Sequence, residues 1–221
     1  GQFCKREKPL KADYVLFYKP YKPIAIVEAK DNNHSMSDGM QQALNYAQMM
    51  NVPFVFSSNG DGFVFHNRYV QEGERETVLP LDGFPSPETL WEMYVEQNCI
   101  GPAQSKIIDE PYYVDNPNKQ PRYYQINAIN RTVEAIAAGQ DRVLLVMATG
   151  TGKTYTAFQI IWRLWNAGIK KRILFLADRT ALISQTFTND FAPFKDKMTW
   201  VTKQNFDTAH EIYLGLYQGL T

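Results

Sequence analysis

The sequence predicts an α/β fold built from two modules. Short apolar runs typical of strands alternate with stretches at helical spacing, and a strand, a glycine-rich loop and a helix follow each other directly within residues 142–165. Charge is also uneven, because residues 1–118 hold 10 Lys and Arg against 16 Asp and Glu, whereas residues 119–221 hold 13 against 7. We therefore expect a first domain at residues 1–100, a linker at 101–118 and a second domain at 119–221.

Composition narrows the class of protein further. The apolar fraction of 44% is enough for a hydrophobic core, and no stretch is long and apolar enough to span a membrane. Cys4 and Cys99 are too few and too scattered for a disulfide framework or a zinc site, so a reducing, cytoplasmic environment fits best. Residues 1–11 do not resemble a signal peptide. The basic excess of the second module fits nucleic-acid binding, but a solvated basic face explains it nearly as well.

The first two strand-like runs form a hairpin that carries two acids and a lysine. Residues 13–18 and 24–30 are rich in aromatic and β-branched side chains, and prolines between them break the chain. A tight turn pairs positions whose numbers sum to 41, so Asp13 faces Glu28 across the strands. Lys30 lies on the same face as Glu28, because side chains alternate along a strand.

This grouping of two acids and one lysine suits metal-dependent chemistry on a phosphate. Neighbouring carboxylates repel each other unless a cation lies between them, and oxygen ligands suit Mg²⁺, so Asp13 and Glu28 are candidate metal ligands. Lys30 could orient or activate the attacking water and offset charge on the scissile phosphate. The alternative is an exposed strand end with a Glu–Lys surface pair, which would explain an isolated Glu-Ala-Lys sequence better.

A helix follows the hairpin and adds two polar residues. Residues 36–50 carry apolar side chains at helical core spacing, with Ser35 or Ser37 as the N-cap. Gln42 and Tyr46 stand four residues apart and therefore share one face of this helix. The strands expected after the helix cover residues 54–56 and 63–65.

The order of these residues resembles the nuclease of the motor (R) subunit of type I restriction enzymes. Such nucleases belong to the PD-(D/E)xK class and carry a Gln-x-x-x-Tyr motif after the catalytic lysine. The resemblance implies that Asp13 and Glu28 bind the metal and that Lys30 is catalytic. It also implies that Gln42 and Tyr46 contact DNA or orient the site.

Two features depart from the pattern of this nuclease class. Ala12 precedes Asp13 where the class name has proline. The fold usually begins with a helix that carries another acid, and the stretch before Lys11 is too short for it, so we expect a truncated N-terminus. Further along, Ser86-Pro87-Glu88 predicts the start of a helix over residues 89–98.

The second module opens with an Arg-aromatic-aromatic-Gln element, Arg122 to Gln125, before a helix predicted at residues 126–138. At this distance from a phosphate loop, the element resembles the adenine-recognition motif of superfamily 2 helicases. The resemblance implies that Gln125 selects ATP, since its amide can both donate to and accept from the adenine edge. An ordinary helix cap is the alternative.

A phosphate-binding loop is the strongest motif of the chain. Residues 142–146 predict a buried strand and residues 155–165 a helix, on either side of Met147-Ala148-Thr149-Gly150-Thr151-Gly152-Lys153-Thr154. The glycines let backbone N–H groups point at a polyphosphate, and the helix N-terminus adds partial positive charge. Lys153 can reach the β- and γ-phosphates, and Thr154 can bind Mg²⁺. The alternative is a glycine-rich turn with an incidental lysine.

The loop resembles the first motif of superfamily 2 helicases, although Met147 stands where the strict pattern has glycine. The resemblance implies that ATP is bound by Thr149, Gly150, Thr151, Gly152, Lys153 and Thr154, together with Gln125. Residues 173–177 predict a parallel strand, and residues 212–217 a third strand or a short helix. Between them, the stretch from Asp178 resembles a helicase motif that contacts the nucleic-acid backbone, which implies a DNA contact at Arg179 and Thr180; a plain helix cap is an equal alternative.

The two signatures together predict the fold class and the function. We expect an α/β chain with a PD-(D/E)xK nuclease core followed by part of a RecA-like parallel-sheet motor lobe. No acidic pair of the kind that completes an ATPase follows Lys153, so we expect a fragment that does not hydrolyse ATP alone. The family implies Mg²⁺-dependent cleavage of double-stranded DNA, ATP-driven translocation, and methyltransferase and specificity subunits as partners. A nuclease–helicase of DNA repair or another defence system, and a non-catalytic DNA-binding or assembly module, are the alternatives.

Overall fold

The computed structural model describes residues 11–115, 120–201 and 208–219. The chain divides into two compact units, Gly1–Gly101 and Pro102–Thr221. None of the helices in the described ranges has the length and hydrophobicity needed to cross a bilayer. The fold class is confirmed. The first unit packs helices on a sheet of parallel and antiparallel strands, and the second unit packs helices on a parallel sheet. The domain bounds predicted above stay a prediction.

The first unit is a five-stranded sheet in the order β1-β2-β3-β4-β5 with one helix on each face. Its strands are β1 (Tyr14–Lys19), β2 (Lys22–Ala29), β3 (Phe54–Ser58), β4 (Gly62–Asn67) and β5 (Glu76–Pro80), and its helices are α1 (Met40–Met50) and α2 (Pro87–Gln97). The β2–β3 pair is parallel and the other neighbouring pairs are antiparallel. A parallel pair needs a crossover connection, which α1 provides.

The hairpin register agrees with the prediction. Tyr14 pairs with Val27 and Leu16 with Ala25, so the position numbers sum to 41 over this part of the hairpin. The register shifts beyond Leu16, toward the turn. Asp13 directly precedes β1, and its position in this register lies opposite Glu28.

Helix α1 begins later than predicted, and the prediction of a serine N-cap is wrong. The N-cap residue is Gly39, which has no side chain to cap with, and the helix starts at Met40. Ser35 and Ser37 bond each other at 3.1 Å, and Ser35 also donates to Asp38, so both hydroxyls are used within the preceding turn. Serine and aspartate compete for local hydrogen bonds in this way when they lie close together in sequence.

The remaining elements of this unit include one that sequence patterns missed. Ser86 caps α2, because its hydroxyl oxygen accepts a hydrogen bond from the Thr89 amide at 3.1 Å, and Pro87 is the first helical residue. Strand β5 was not predicted, since its residues are mostly exposed and lack a clear apolar alternation. It forms because β4 offers an open antiparallel edge.

The second unit is a three-stranded parallel sheet in the order β6-β8-β7, with helices around it. Its strands are β6 (Ile173–Ala177), β7 (Met198–Val201) and β8 (Ile212–Leu216). Its helices are α3 (Pro102–Ile108), α4 (Tyr123–Ala137), α5 (Lys153–Asn166) and α6 (Thr180–Gln185), with a π-helical turn at Thr186–Asp190 and a 3₁₀ turn at Ala192–Lys197. The strand predicted at 173–177 is confirmed, residues 212–217, expected to be a strand or a short helix, contain strand β8, and β7 was missed.

Helix α5 is packed on two faces. Phe158 lies in one apolar cluster with β8 and with Phe191 and Phe194. Ile160 and Leu164 lie in a second cluster with α3 and α4. Packing on two faces fixes the position of the helix axis, and therefore of the helix N-terminus to which the preceding loop connects.

The prediction of a buried strand at residues 142–146 is wrong. The structure has no regular element there, and Leu144 and Val146 are 86% and 90% exposed. Nothing in the described part of the chain pairs with this stretch as a neighbouring strand. No neighbouring strand within the described residues forms hydrogen bonds with this backbone, so the stretch is not part of a sheet. Its apolar side chains are therefore not buried between a sheet and covering helices.

The segment predicted as a linker, residues 101–118, contains α3 and a contact that ties it to the second unit. Ile107 of α3 packs in a cluster with Ile129 and Val133 of α4. Further on, the buried Gln159 side chain accepts from the Tyr113 amide at 3.0 Å and donates to the Tyr113 carbonyl at 2.8 Å. One side-chain amide therefore satisfies both backbone groups of one residue, which holds the segment on α5.

We expect Gln159→Leu to release this segment. Leucine has a similar volume but leaves the Tyr113 amide and carbonyl without partners, which costs about 2 kcal/mol locally. Hydrogen exchange measured by mass spectrometry should show faster exchange around Tyr113 in the variant. Gln140→Leu is the control, because Gln140 is exposed in the same unit. Equal protection in wild type and Gln159→Leu would contradict the proposed anchoring.

Candidate functional site

The first candidate site lies at the C-terminal end of β2. The strand is buried from Ile24 to Glu28, and the Glu28 side chain is only 2% exposed. Lys30 follows two residues later, and its side chain is 26% exposed. A buried acid thus sits beside a lysine that still reaches the surface; the hairpin pattern predicts that the two side chains share a face, but not that the acid is buried.

Four of the predicted residues form one continuous chain of polar contacts. Lys30 Nζ lies 3.1 Å from Glu28 Oε1 and donates to Gln42 Oε1 at 3.3 Å. Gln42 Nε2 in turn donates to the Tyr46 hydroxyl at 3.3 Å. Because Gln42 and Tyr46 are one helical turn apart on α1, the helix orients both toward the lysine.

Asp13 approaches the same place from the neighbouring strand. Its Oδ2 accepts a hydrogen bond from the Ala29 amide at 2.9 Å. That bond holds the carboxylate beside the residue that follows Glu28, while the Asp13 side chain remains exposed. The structure therefore brings Asp13, Glu28 and Lys30 together, as the register predicts.

The second oxygen of Glu28 has a different environment. Glu28 Oε2 is buried and has no hydrogen-bond partner among the residues that the structure describes, and the same is true of Ser57 Oγ. Leaving such a group unsatisfied costs about 1–3 kcal/mol, so each one calls for a partner. Sequence reasoning missed Ser57; its only signal is that a serine follows the apolar run Phe54-Val55-Phe56 within β3.

The donor set fits a hard divalent cation. Asp13 and Glu28 offer carboxylate oxygens, and Glu28 Oε2 makes no hydrogen bond within the described residues. The described ranges hold no group of three or more His, Cys, Asp and Glu residues suited to a metal. Mg²⁺ commonly takes one or two protein carboxylates and completes its shell with water and substrate oxygens, so two acids are sufficient.

The loop between β2 and α1 is folded by local hydrogen bonds. The pKa of Asp38 lies below its ordinary value because the Ser35 side chain donates to its carboxylate, with a further contribution from His34. Asn59 also donates to the His34 carbonyl at 3.0 Å. These bonds determine where α1 starts, and therefore how its glutamine and tyrosine reach the lysine.

The second candidate site is the glycine loop before α5. Gly150 and Gly152 have φ of +77° and +82°, a region that glycine enters without strain. Thr151 Oγ1 donates to the Ala148 carbonyl at 2.6 Å, and Lys153 Nζ donates to the same carbonyl at 3.1 Å. The loop thus curls as a phosphate-binding loop should and leads directly into a helix N-terminus.

Gln125 joins this loop to α4. It lies in the first turn of that helix, where its Oε1 accepts from the Arg122 amide at 2.9 Å. Its Nε2 donates to the Thr151 carbonyl at 2.9 Å. The side chain therefore acts as a helix cap and also touches the loop, and a role in adenine recognition stays a prediction.

The structure gives the positions of the other predicted site residues of the second unit, and their roles stay predictions. Thr154 is half-buried in the first turn of α5, and Thr149 is exposed on the loop. Arg179 is the N-cap residue of α6, directly after β6, with its side chain 79% exposed and 3.8 Å from Asp178. Thr180 follows as the first residue of α6 and is exposed, so both could reach a ligand outside the fold.

Two family models match the chain, and they divide it between its two modules. The model described as "Type I restriction enzyme R protein N terminus (HSDR_N)" matches residues 2–85. The model described as "Type III restriction enzyme, res subunit" matches residues 118–221.

Curated relatives and a solved structure extend over nearly the whole chain. The endonuclease subunit of the type I restriction enzyme EcoAI from Escherichia coli is 53% identical over 222 residues, covering 100% of this chain and 27% of the relative. The corresponding EcoKI subunit of E. coli K12 is 30% identical over 252 residues, covering 91% of this chain and 20% of that subunit. A fragment of a proposed HsdR subunit from Vibrio vulnificus YJ016 superimposes with a TM-score of 0.82 at 35% identity, over 98% of this chain and 39% of that one.

The chain thus spans about a quarter of the length of the first curated relative and a fifth of the second. The two matched modules follow the same order as the nuclease and helicase signatures in the sequence. Together these similarities show that the chain belongs to the family of type I restriction enzyme R subunits, of which it represents an N-terminal fragment.

Proposed function

We propose that the first unit cleaves double-stranded DNA in a Mg²⁺-dependent reaction, and that the second binds ATP for the translocation motor of the intact R subunit. One observation supports the nuclease most directly. The buried Glu28 carboxylate has one oxygen on Lys30 and a second that makes no hydrogen bond with any described residue. A carboxylate whose only purpose is an ion pair would not need to be buried with one oxygen unsatisfied.

Asp13 and Glu28 are the residues that would hold the metal. They approach from two adjacent strands, and the Asp13 bond to the Ala29 amide keeps the carboxylate at the end of β2. Bound there, Mg²⁺ would polarise the phosphodiester and lower the pKa of a coordinated water.

Lys30 would act on the water and on the phosphate. Its ammonium orients the attacking water and offsets the negative charge that develops on the phosphate oxygens. Hydrolysis forms a bond from phosphorus to the water oxygen and breaks a bond to a sugar oxygen, which leaves with a proton. Gln42 and Tyr46 support this role, because the Gln42 carbonyl holds the lysine and Tyr46 holds the amide group of Gln42.

The second unit would bind ATP through its glycine loop. The loop's backbone amides and the N-terminus of α5 offer positive charge to a polyphosphate, Lys153 can swing from the Ala148 carbonyl to the β- and γ-phosphates, and Thr154 can ligate Mg²⁺. Gln125 retains unused donor and acceptor capacity for an adenine edge, since an amide has two N–H groups and two oxygen lone pairs.

The partners follow from the family. Arg179 and Thr180, at the start of α6, would contact the DNA backbone while the motor moves along it. Methyltransferase and specificity subunits would supply modification and site recognition, so this chain would not read the DNA sequence itself. The relatives are described as endonuclease subunits of type I restriction enzymes, which supports this assignment over a stand-alone repair nuclease.

We expect Asp13→Ala, Glu28→Ala and Lys30→Ala each to reduce DNA cleavage by on the order of 100-fold or more, since each removes one group that stabilises the transition state. ATPase activity should persist, because the glycine loop is in the other unit. The measurement is Mg²⁺-dependent cleavage of plasmid DNA by the intact R subunit, with ATP and the methyltransferase complex present. Asp82→Ala, which removes an acid from an exposed turn of the same unit, is the control and should leave cutting unchanged.

Unchanged cleavage in all three variants would remove these residues from the chemistry. The nuclease-like unit would then be a non-catalytic DNA-binding or assembly module.

We expect Gly152→Ala to weaken ATP binding at least about tenfold, a difference of about 1.4 kcal/mol. A Cβ at Gly152 would overlap Gln125 Nε2, which holds the loop, and the residue has φ of +82°. Gly139→Ala is a matched control, because Gly139 has φ of +87° but nothing within 4 Å of an added Cβ. Both variants carry the same backbone strain, so titration with a fluorescent ATP analogue isolates the contribution of the loop. Equal affinities in the two variants would argue against the loop as the ATP site.

A further inference from the structure

A buried polar cluster, formed by Gly39, Glu28 and Ser57, lies where β2 and β3 end beneath the start of α1. In the parallel β2–β3 register Ile26 pairs with Val55, and Glu28 pairs with Ser57. Ile26 and Val55 pack in the core beneath α1. Because side chains alternate along a strand, Glu28 and Ser57 continue the same two columns on the same face. The core facing α1 therefore changes from apolar to polar at the end of the two strands.

Gly39 covers this polar end. A Cβ added to Gly39 would lie 2.8 Å from Ser57 Oγ and 3.0 Å from Glu28 Cγ, so both side chains border the same point. The backbone of Gly39 has φ of −84° and ψ of −11°, a conformation that any residue adopts. The requirement for glycine at this position is thus one of space.

Two buried oxygen atoms of this polar cluster have no hydrogen-bond partner in the described part of the chain. Glu28 Oε2 and Ser57 Oγ are both unsatisfied among the described residues, although Glu28 is 1% and Ser57 0% exposed. Two such atoms on adjacent strands indicate that something other than the described protein atoms completes their hydrogen bonds. The occupant must be small and must suit both a carboxylate oxygen and a hydroxyl.

We propose that Ser57 is a positioning residue of the metal site, whose hydroxyl accepts a hydrogen bond from a water molecule in the coordination shell of the ion held by Glu28. This inference rests on the proposed nuclease function. Mg²⁺ gives up its waters reluctantly and usually keeps several, so a ligand buried on one side needs an acceptor for the water there. Gly39 packs directly against both side chains, so a larger residue at this position would push on Ser57 Oγ. Lys30 Nζ contacts the other oxygen, Glu28 Oε1, at 3.1 Å, and the Asp13 side chain is exposed.

The test is Mn²⁺ binding to the nucleotide-free intact R subunit, measured by isothermal titration calorimetry. We expect Ser57→Ala to raise the Kd about tenfold, because outer-shell groups contribute at least that much to metal affinity. The metal-free melting temperature should not fall, since the hydroxyl has no described protein partner to lose. A serine with a merely structural role would give the reverse pattern. Gly39→Ala should also raise the Kd, because its methyl group would overlap Ser57 Oγ and displace the hydroxyl.

Ser58→Ala is the matched control. Ser58 is the next residue of the same buried strand, but its hydroxyl already donates to the Gly62 carbonyl at 2.7 Å. This variant should melt at a lower temperature with an unchanged Kd. In cleavage assays, Ser57→Ala should need about ten times more Mg²⁺ for half-maximal rate, while the rate at saturating Mg²⁺ is largely restored.

Two outcomes overturn the inference, and they are distinguishable. If Glu28→Ala abolishes Mn²⁺ binding while Ser57→Ala binds as the wild type does, Ser57 has no role and the nuclease proposal survives. If Glu28→Ala binds Mn²⁺ as the wild type does, no ion is held at Glu28, and both proposals fall.

Discussion

The first unit depends on the burial of one carboxylate at the end of a parallel strand pair. Strand β2 is buried from Ile24 to Glu28, and the last of these buried residues is an acid rather than another apolar residue. Burying an ionised carboxylate is unfavourable unless its oxygens are satisfied, and Lys30 satisfies one of them. The remaining oxygen has no hydrogen-bond partner among the described residues. The cost of this burial therefore falls on one side chain of the candidate site.

Helix α1 serves the core and the site with different faces. Met40, Ala43 and Ala47 pack on the sheet, where they cover the apolar part of the β2–β3 pair. Gln42 and Tyr46 lie between these positions in sequence and reach Lys30 in space. A period of 3.6 residues per turn makes this separation possible within eleven residues. The crossover that joins two parallel strands thus also carries the residues that orient the lysine.

The second unit positions its loop by the helix that follows rather than by the strand that precedes it. Helix α5 is buried on two faces, and the Gln125 side chain holds the loop from α4 through the Thr151 carbonyl. The apolar stretch before the loop, residues 142–146, is exposed and lies in no sheet of the described chain. The curl of the loop is a local property of its glycines, so it forms without that strand.

Local chemistry in the sequence was enough for the hairpin register, the spacing of Gln42 and Tyr46, and the glycine loop, because each depends on residues close together in the chain. The buried polar cluster formed by Gly39, Glu28 and Ser57 could not be predicted in this way. It requires the pairing of β2 with β3, which are separated by α1, and such pairing is set by which surfaces bury each other. The same reason explains why β5 and β7 were missed and why residues 142–146 were wrongly expected to be a strand. An apolar run can form a strand, but only a neighbouring strand in the folded structure makes it one.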